Sequence, residues 1–204
     1  MRSRTSVDLF RYWNTLRGDR NLPRRDEISP GDIRLLLPDV FILQRQVSGP
    51  IRFRLAGTRI CTLFGSELRD QPFSALWEEK EMTDLDRVAG RVMAQCTPML
   101  VSAFGRTAAG DEIELELLLA PLASADGRND RVLGTLSPLT CPRWLHLTPI
   151  TALATSGLSV LHRDHDMSRK DVNTPPAAAN IGIEAGHARG RVLNLRVLDG
   201  GRRD

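Results

Sequence analysis

Glu112-Ile113-Glu114-Leu115-Glu116-Leu117-Leu118-Leu119-Ala120 is the stretch on which the fold turns. Ile113, Leu115, Leu117 and Leu119 alternate with Glu112, Glu114, Glu116 and Leu118, the period of a strand with one face buried and one solvated. A slip of one residue would carry the glutamates into the core, so the register is strongly specified. Such a strand needs neighbours in a sheet and a layer over its apolar face.

Working outward, turn-rich AAGD and SADGRND flank this strand and separate it from two others, Met99 to Thr107 before it and Arg131 to Leu136 after it. Upstream of Pro98, a helix from the candidate cap Thr83 to Cys96 sets Leu85, Val88, Ala89, Val92, Met93 and Cys96 along one stripe, which matches the sheet's apolar face. Further upstream, Val40 to Gln46, the turn Ser48-Gly49-Pro50, and Ile51, Phe53 and Leu55 alternating with Arg52 and Arg54 read as a β-hairpin. Gly57 suits a close approach or an unusual backbone angle where sheet passes to helix. Thr58 is the candidate cap of a short helix bearing Ile60, Leu63 and Phe64, and a second short helix fits Pro72 to Trp77. The expectation is an α+β fold: a five-stranded antiparallel sheet with helices on one face.

The ends of the chain differ from this centre. Leu9, Phe10, Trp13 and Leu16 make an apolar stripe on a helix from about Ser6 to Arg17, stopped by Gly18, which must pack either on the domain or on a second copy. Ser29-Pro30-Gly31-Asp32 carries the signals of a further short helix through Ile33 to Leu37, ended by Pro38. Beyond about Thr148 the composition turns to Ala, Ser, Thr, Gly and Pro, and Ser168 to Ala188 reads as a flexible linker. Arg191 to Asp199 is a short β-prone run, an edge strand or a docking peptide. The division expected is an N-terminal helical extension over 1–37, the domain over 38–147, and a low-order C-terminal region over 148–204.

The order strand, strand, short helices, long helix, three strands is that of a PAS domain. Several spaced motifs add to it: Tyr12-Trp13-x-x-Leu16-Arg17, Leu22-Pro23-x-Arg25, Ile28-x-Pro30, Leu36-Leu37-Pro38, Val40-Phe41-Ile42, Phe53-Arg54-Leu55-Ala56-Gly57-Thr58, Leu63-Phe64-Gly65-x-Glu67-Leu68 and Leu76-Trp77. Over roughly Val7 to His146 the chain resembles PAS_5, a PAS family common in alphaproteobacteria. The resemblance implies a sensory or regulatory role and names no signal.

Composition narrows the chemistry. At 204 residues with 41% hydrophobic and 26% charged residues, the chain suits one core without disulfides. No window approaches the roughly 18 to 20 apolar residues of a spanning helix, and the N-terminus lacks a signal-peptide core, so a cytoplasmic place is expected. Cys61, Cys96 and Cys141 lie far apart and read as reduced thiols. A net charge of only +3, with arginines interspersed among acids, argues against a nucleic-acid footprint. His146, His162, His165 and His187 all follow the predicted core, so histidine-ligated haem has no ligand there; His162-x-x-His165 lacks third and fourth partners for a metal. Cys61 sits in Arg-Ile-Cys-Thr, not in the setting of a flavin photoreceptor, and reads as a small hydrophobe. No nucleophile elbow, P-loop or dinucleotide fingerprint occurs. Neither a cofactor nor enzymatic turnover is expected.

Two functional readings stand open together. In the first, the protein regulates by contact with a protein partner, a sensor kinase or other signalling protein, or with a second copy as a homodimer, through Trp13 and Leu16 on the N-terminal helix and Arg54 on the outward sheet face. In the second, it receives a small apolar or nucleotide ligand in a pocket lined by Phe53, Leu55, Phe64, Trp77, Val92, Phe104 and Leu117. The cluster Arg20, Arg24 and Arg25 belongs to an exposed linker, with phosphate binding the alternative.

Overall fold

Strand β4 (Glu112–Leu122) lies inside the sheet, as its alternation demands, between β5 (Arg131–Pro138) and β3 (Met99–Thr107). The computed structural model describes residues 1–46 and 49–161. The other elements are helix α1 (Arg4–Arg17), strands β1 (Val40–Arg45) and β2 (Ile51–Ala56), helices α2 (Thr58–Phe64) and α3 (Met82–Gln95), and strand β6 (Ile150–Val160). All neighbouring strands pair antiparallel, in the order β2-β1-β5-β4-β3-β6.

The sheet has six strands, one more than the sequence suggested. The addition is β6, within the stretch expected to be of low order. It pairs with β3 from Met99↔Val160 to Thr107↔Ile150 and buries Ile150 and Leu153. Its other edge is held by the chain leading into α3: the Glu78 N–H donates to the Leu153 carbonyl at 2.9 Å, and the Thr155 N–H donates to Glu81 Oε2 at 2.7 Å. Glu78 and Glu81 are therefore structural; Glu78 also pairs with Lys80 and with Arg106.

One face of the sheet meets α2 and α3 over a core containing Phe41, Leu43, Phe53, Ile60, Leu63, Val92, Met93, Ile113, Leu115, Leu117 and Leu119. The opposite face is covered over its central strands. Leu9, Phe10 and Trp13 of α1 pack there against Val40, Ile42, Leu118, Ala120, Leu122 and Leu133. Each such side chain removed from water contributes roughly 1.5 to 3 kcal/mol, so α1 is part of the fold and not an appendage. Its first turn is anchored on the strand that decides the register: the Arg2 and Ser3 N–H groups donate to the two oxygens of Glu116, at 2.6 and 2.9 Å. Glu116 is only 2% exposed, and a carboxylate under a helix N-terminus is where the helix dipole favours it.

Local details depart from the sequence reading in four places. Residues 30–36 form hydrogen-bonded turns followed by a 3-10 turn at Leu37–Asp39, not a helix from Ile33 to Leu37. The second short helix is a 3-10 turn at Phe73–Leu76. Helix α3 begins at Met82, one residue before the expected cap Thr83. The cap of α2 is Gly57, with Thr58 already inside the helix. Gly57 has an ordinary φ of −70°, and a close approach explains it: a Cβ there would lie 2.3 Å from the carbonyl oxygens of both Leu37 and Pro38. The linker Ser168 to Ala188 and the run Arg191 to Asp199 lie outside the described residues, as do His162, His165 and His187.

Candidate ligand core and interaction surface

Five of the seven sequence-derived pocket residues come together under α3. Phe53, Trp77, Val92 and Leu117 belong to one buried cluster, and Phe64 is partly buried against it. The aromatic rings touch: Phe41 and Phe53 lie 5.6 Å apart edge-on, Phe53 and Phe73 5.9 Å, and Phe73 and Trp77 6.1 Å. Trp77 is 2% exposed, yet its indole N–H has no acceptor among the described residues. A buried donor without a partner costs free energy. It is a polar feature of this core that a ligand carrying an acceptor could satisfy.

Leu55 and Phe104 do not join that cluster. Phe104 falls on the α1 side of β3, since Val101 and Ala103 occupy the inner face and the alternation sets Phe104 opposite to them. Leu55 is turned by a bulge. Leu43 pairs with Phe53 while Ile42 pairs with Leu55, so Arg54 is an inserted residue on β2. The insertion inverts the faces beyond it, and Leu55 takes the face of Ile42, 42% exposed.

The same bulge leaves Arg54 exposed with no ion-pair partner among the described residues. Gly57 seats the end of β2 against the backbone of Leu37 and Pro38, which brings the 30–37 turns to this end of the hairpin. Leu35 is 78% exposed there and Leu37 also lies open. Trp13 and Leu16, the other sequence-derived contact residues, face their own sheet: Trp13 is buried and donates from Nε1 to the Pro121 carbonyl at 2.8 Å, and Leu16 is partly buried in the same layer.

The linker arginines are largely matched by acids. Arg20 grips Glu27 with two hydrogen bonds at 2.8 and 2.9 Å, and Arg24 pairs with Asp26 at 2.6 Å. The Arg20 hydrogen bond, with one from the Arg24 N–H, holds the Glu27 carboxyl below its ordinary range. Cys61 is buried in the inner cluster. Among the described residues, no group of three or more metal-ligating side chains converges, and no helix is long and apolar enough to cross a membrane.

With this geometry in place, the PAS_5 family of PAS domains matches residues 1–137. The chain belongs to that family. PAS domains are in general sensory signalling modules, and the match takes in α1, strands β1 to β4 and nearly all of β5, and stops short of β6. No curated protein matches the sequence significantly. Among solved structures, the chain is similar to a light-oxygen-voltage domain studied with a flavin analogue, at 14% identity and a TM-score of 0.42, over 54% of this chain and 83% of that one. The dark state of the blue-light photoreceptor Aureochrome1 LOV is alike at 14% identity and TM-score 0.42, over 55% of this chain and 84% of that one. A PAS domain from Colwellia psychrerythraea aligns at 16% identity and TM-score 0.38, over 54% and 97%. These likenesses are too distant to carry a chromophore or a partner across.

Proposed function

We infer that this PAS protein regulates by protein contact, without turnover of its own, and that the contact surface lies at the β2 end of the hairpin around Arg54, Leu55 and Leu35. The observation that carries the reading is the bulge at Arg54. It leaves a guanidinium with no ion-pair partner among the described residues next to a large exposed apolar side chain, while α1 and the helical layer cover the central strands on the two faces. Arginine beside apolar anchors is the composition of interface centres. The partner class is a sensor kinase or other signalling protein, or a second copy of the chain, in the cytoplasm. The test compares proteins co-purified from cells with the wild-type chain, Arg54→Ala and Leu55→Asp, each verified as folded by thermal melting. The reading requires a signalling protein, or the chain itself, whose recovery drops at least about tenfold in both variants, a loss of about 1.4 kcal/mol. Unchanged recovery in both would refute the surface.

The orphan Trp77 indole supports a second, compatible role, a small ligand with a hydrogen-bond acceptor held among Phe53, Phe64, Trp77, Val92 and Leu117. Native mass spectrometry of the protein purified from its own cells would show the added mass. A bare chain mass from several growth conditions would argue against it.

A further inference from the structure

A groove of about 640 Å³ lies between α3, Arg45 of β1 and Ser74, and shares no lining residue with the inner core cluster or with the Arg54 surface. Three guanidinium-bearing residues line it, Arg45 from β1 and Arg87 and Arg91 from α3, against the single carboxyl of Asp86. Arg87 is occupied with Asp84 at 3.0 Å, but no carboxylate lies within ion-pair distance of Arg45 or Arg91 among the described residues. The floor is Gly90. Glycine inside a helix costs about 1 kcal/mol relative to alanine, so its presence in mid-helix asks for a reason. A Cβ on Gly90 would stand 2.4 Å from Nη2 of Arg45, so the missing side chain is what lets that guanidinium lie against the helix.

Asp86 supplies a second demand. Its Oδ1 is buried and has no hydrogen-bond partner among the described residues. Burial pushes this carboxyl above its ordinary range, with the Ser74 hydroxyl and the Arg45 charge pulling the other way. A bare inorganic anion would answer the arginines and leave that oxygen unmet. A phosphate ester that also carries hydroxyl groups answers both, since planar guanidinium groups pair with phosphate oxygens and the hydroxyl donates to the carboxyl.

We propose that the α3 groove binds a small hydroxylated organic phosphate, with Arg45 and Arg91 on the phosphate and Asp86 on a hydroxyl. Ribose 5-phosphate is a direct probe, with ribose as its uncharged control. Titrated into the full ¹⁵N-labelled chain, ribose 5-phosphate should shift the Gly90 amide and the Arg45 Nε–H saturably, and ribose should not. Arg45→Gln and Arg91→Gln should each weaken binding about tenfold, in keeping with a charge-assisted hydrogen bond of roughly 1.5 to 3 kcal/mol, while Arg143→Gln, on another exposed arginine, leaves it unchanged. Gly90→Ala, which displaces the Arg45 guanidinium, should abolish the Arg45 response. A flat response at Gly90 in the millimolar range would overturn the proposal. So would an equal loss of binding in Arg143→Gln, which marks general attraction of an anion to a basic protein.

Discussion

If α1 is a structural layer of the domain, truncating Trp13 must act like a core mutation and not like trimming an appendage. Trp13 is 2% exposed, stacks on Phe10 with ring centroids 6.1 Å apart, and lies under the Arg17 guanidinium at 5.1 Å. Removing a buried tryptophan to alanine costs about 3 to 5 kcal/mol in transfer and cavity terms. For a chain of this size each kcal/mol moves the midpoint by roughly 2 to 4 °C, so Trp13→Ala should melt about 6 to 20 °C below wild type. Trp13→Phe separates the contributions: it keeps most of the apolar area and loses the hydrogen bond to the Pro121 carbonyl, for about 0.5 to 1.5 kcal/mol. Urea unfolding followed by far-ultraviolet circular dichroism measures both without relying on tryptophan emission. A Trp13→Ala protein within about 1 kcal/mol of wild type, less than one lost core side chain, would refute the reasoning and free α1 for another partner.

Three further outcomes follow from particular contacts. Gly57→Ala should destabilise by about 1 to 3 kcal/mol or more, because the new methyl meets backbone carbonyls that cannot rotate away; an unchanged midpoint would mean the β2–α2 junction yields freely. Glu116→Gln should loosen the first turn of α1, costing on the order of 1.5 to 3 kcal/mol for a charge-assisted bond, seen as faster amide exchange at residues 3–7 with β4 still protected. Asp86 titrates above its ordinary range in the folded chain, so its favourable contribution is complete at low pH and is lost as pH rises through the raised value. Asp86→Asn should therefore gain in midpoint over wild type as pH goes from acidic to neutral, and a constant difference across that range would count against the assignment.

Much of this architecture could be read from residue periods, and the failures have identifiable causes. The inner face was legible because Ile113, Leu115, Leu117 and Leu119 repeat every second residue and α3 offers a matching stripe. The outer layer was also written in the sequence, in a signal that was passed over: from Leu117 onward, Leu118, Ala120 and Leu122 make the second face of β4 apolar too. A strand apolar on both faces is covered on both. Strand β6 left a weaker trace, for an edge strand rich in Ala, Ser, Thr and Gly buries fully only Ile150 and Leu153. Its place depends on backbone pairing with β3 and on Glu78 and Glu81, partners that no local period reveals. Phe104 was misplaced because the hydrophobic residues of β3 run on both faces, and size alone does not tell which face is inner.

Leu55 was misplaced for a different reason, and that reason bears on function. Alternation from Ile51 and Phe53 assigns Leu55 to the core, and without the bulge it would be there. One residue inserted at Arg54 turns it outward, at the loss of roughly the 1.5 to 3 kcal/mol that burying a leucine side chain would contribute. A single exposed leucine needs no explanation. Here it stands next to an arginine with no ion-pair partner among the described residues, and the backbone brings the turn bearing exposed Leu35 to the same end of the sheet. Bulges re-aim side chains where a sheet meets something other than itself. The hairpin end is thus where local pattern and fold disagree, and on the proposed reading it is where a partner would recover the apolar area that the fold leaves in water.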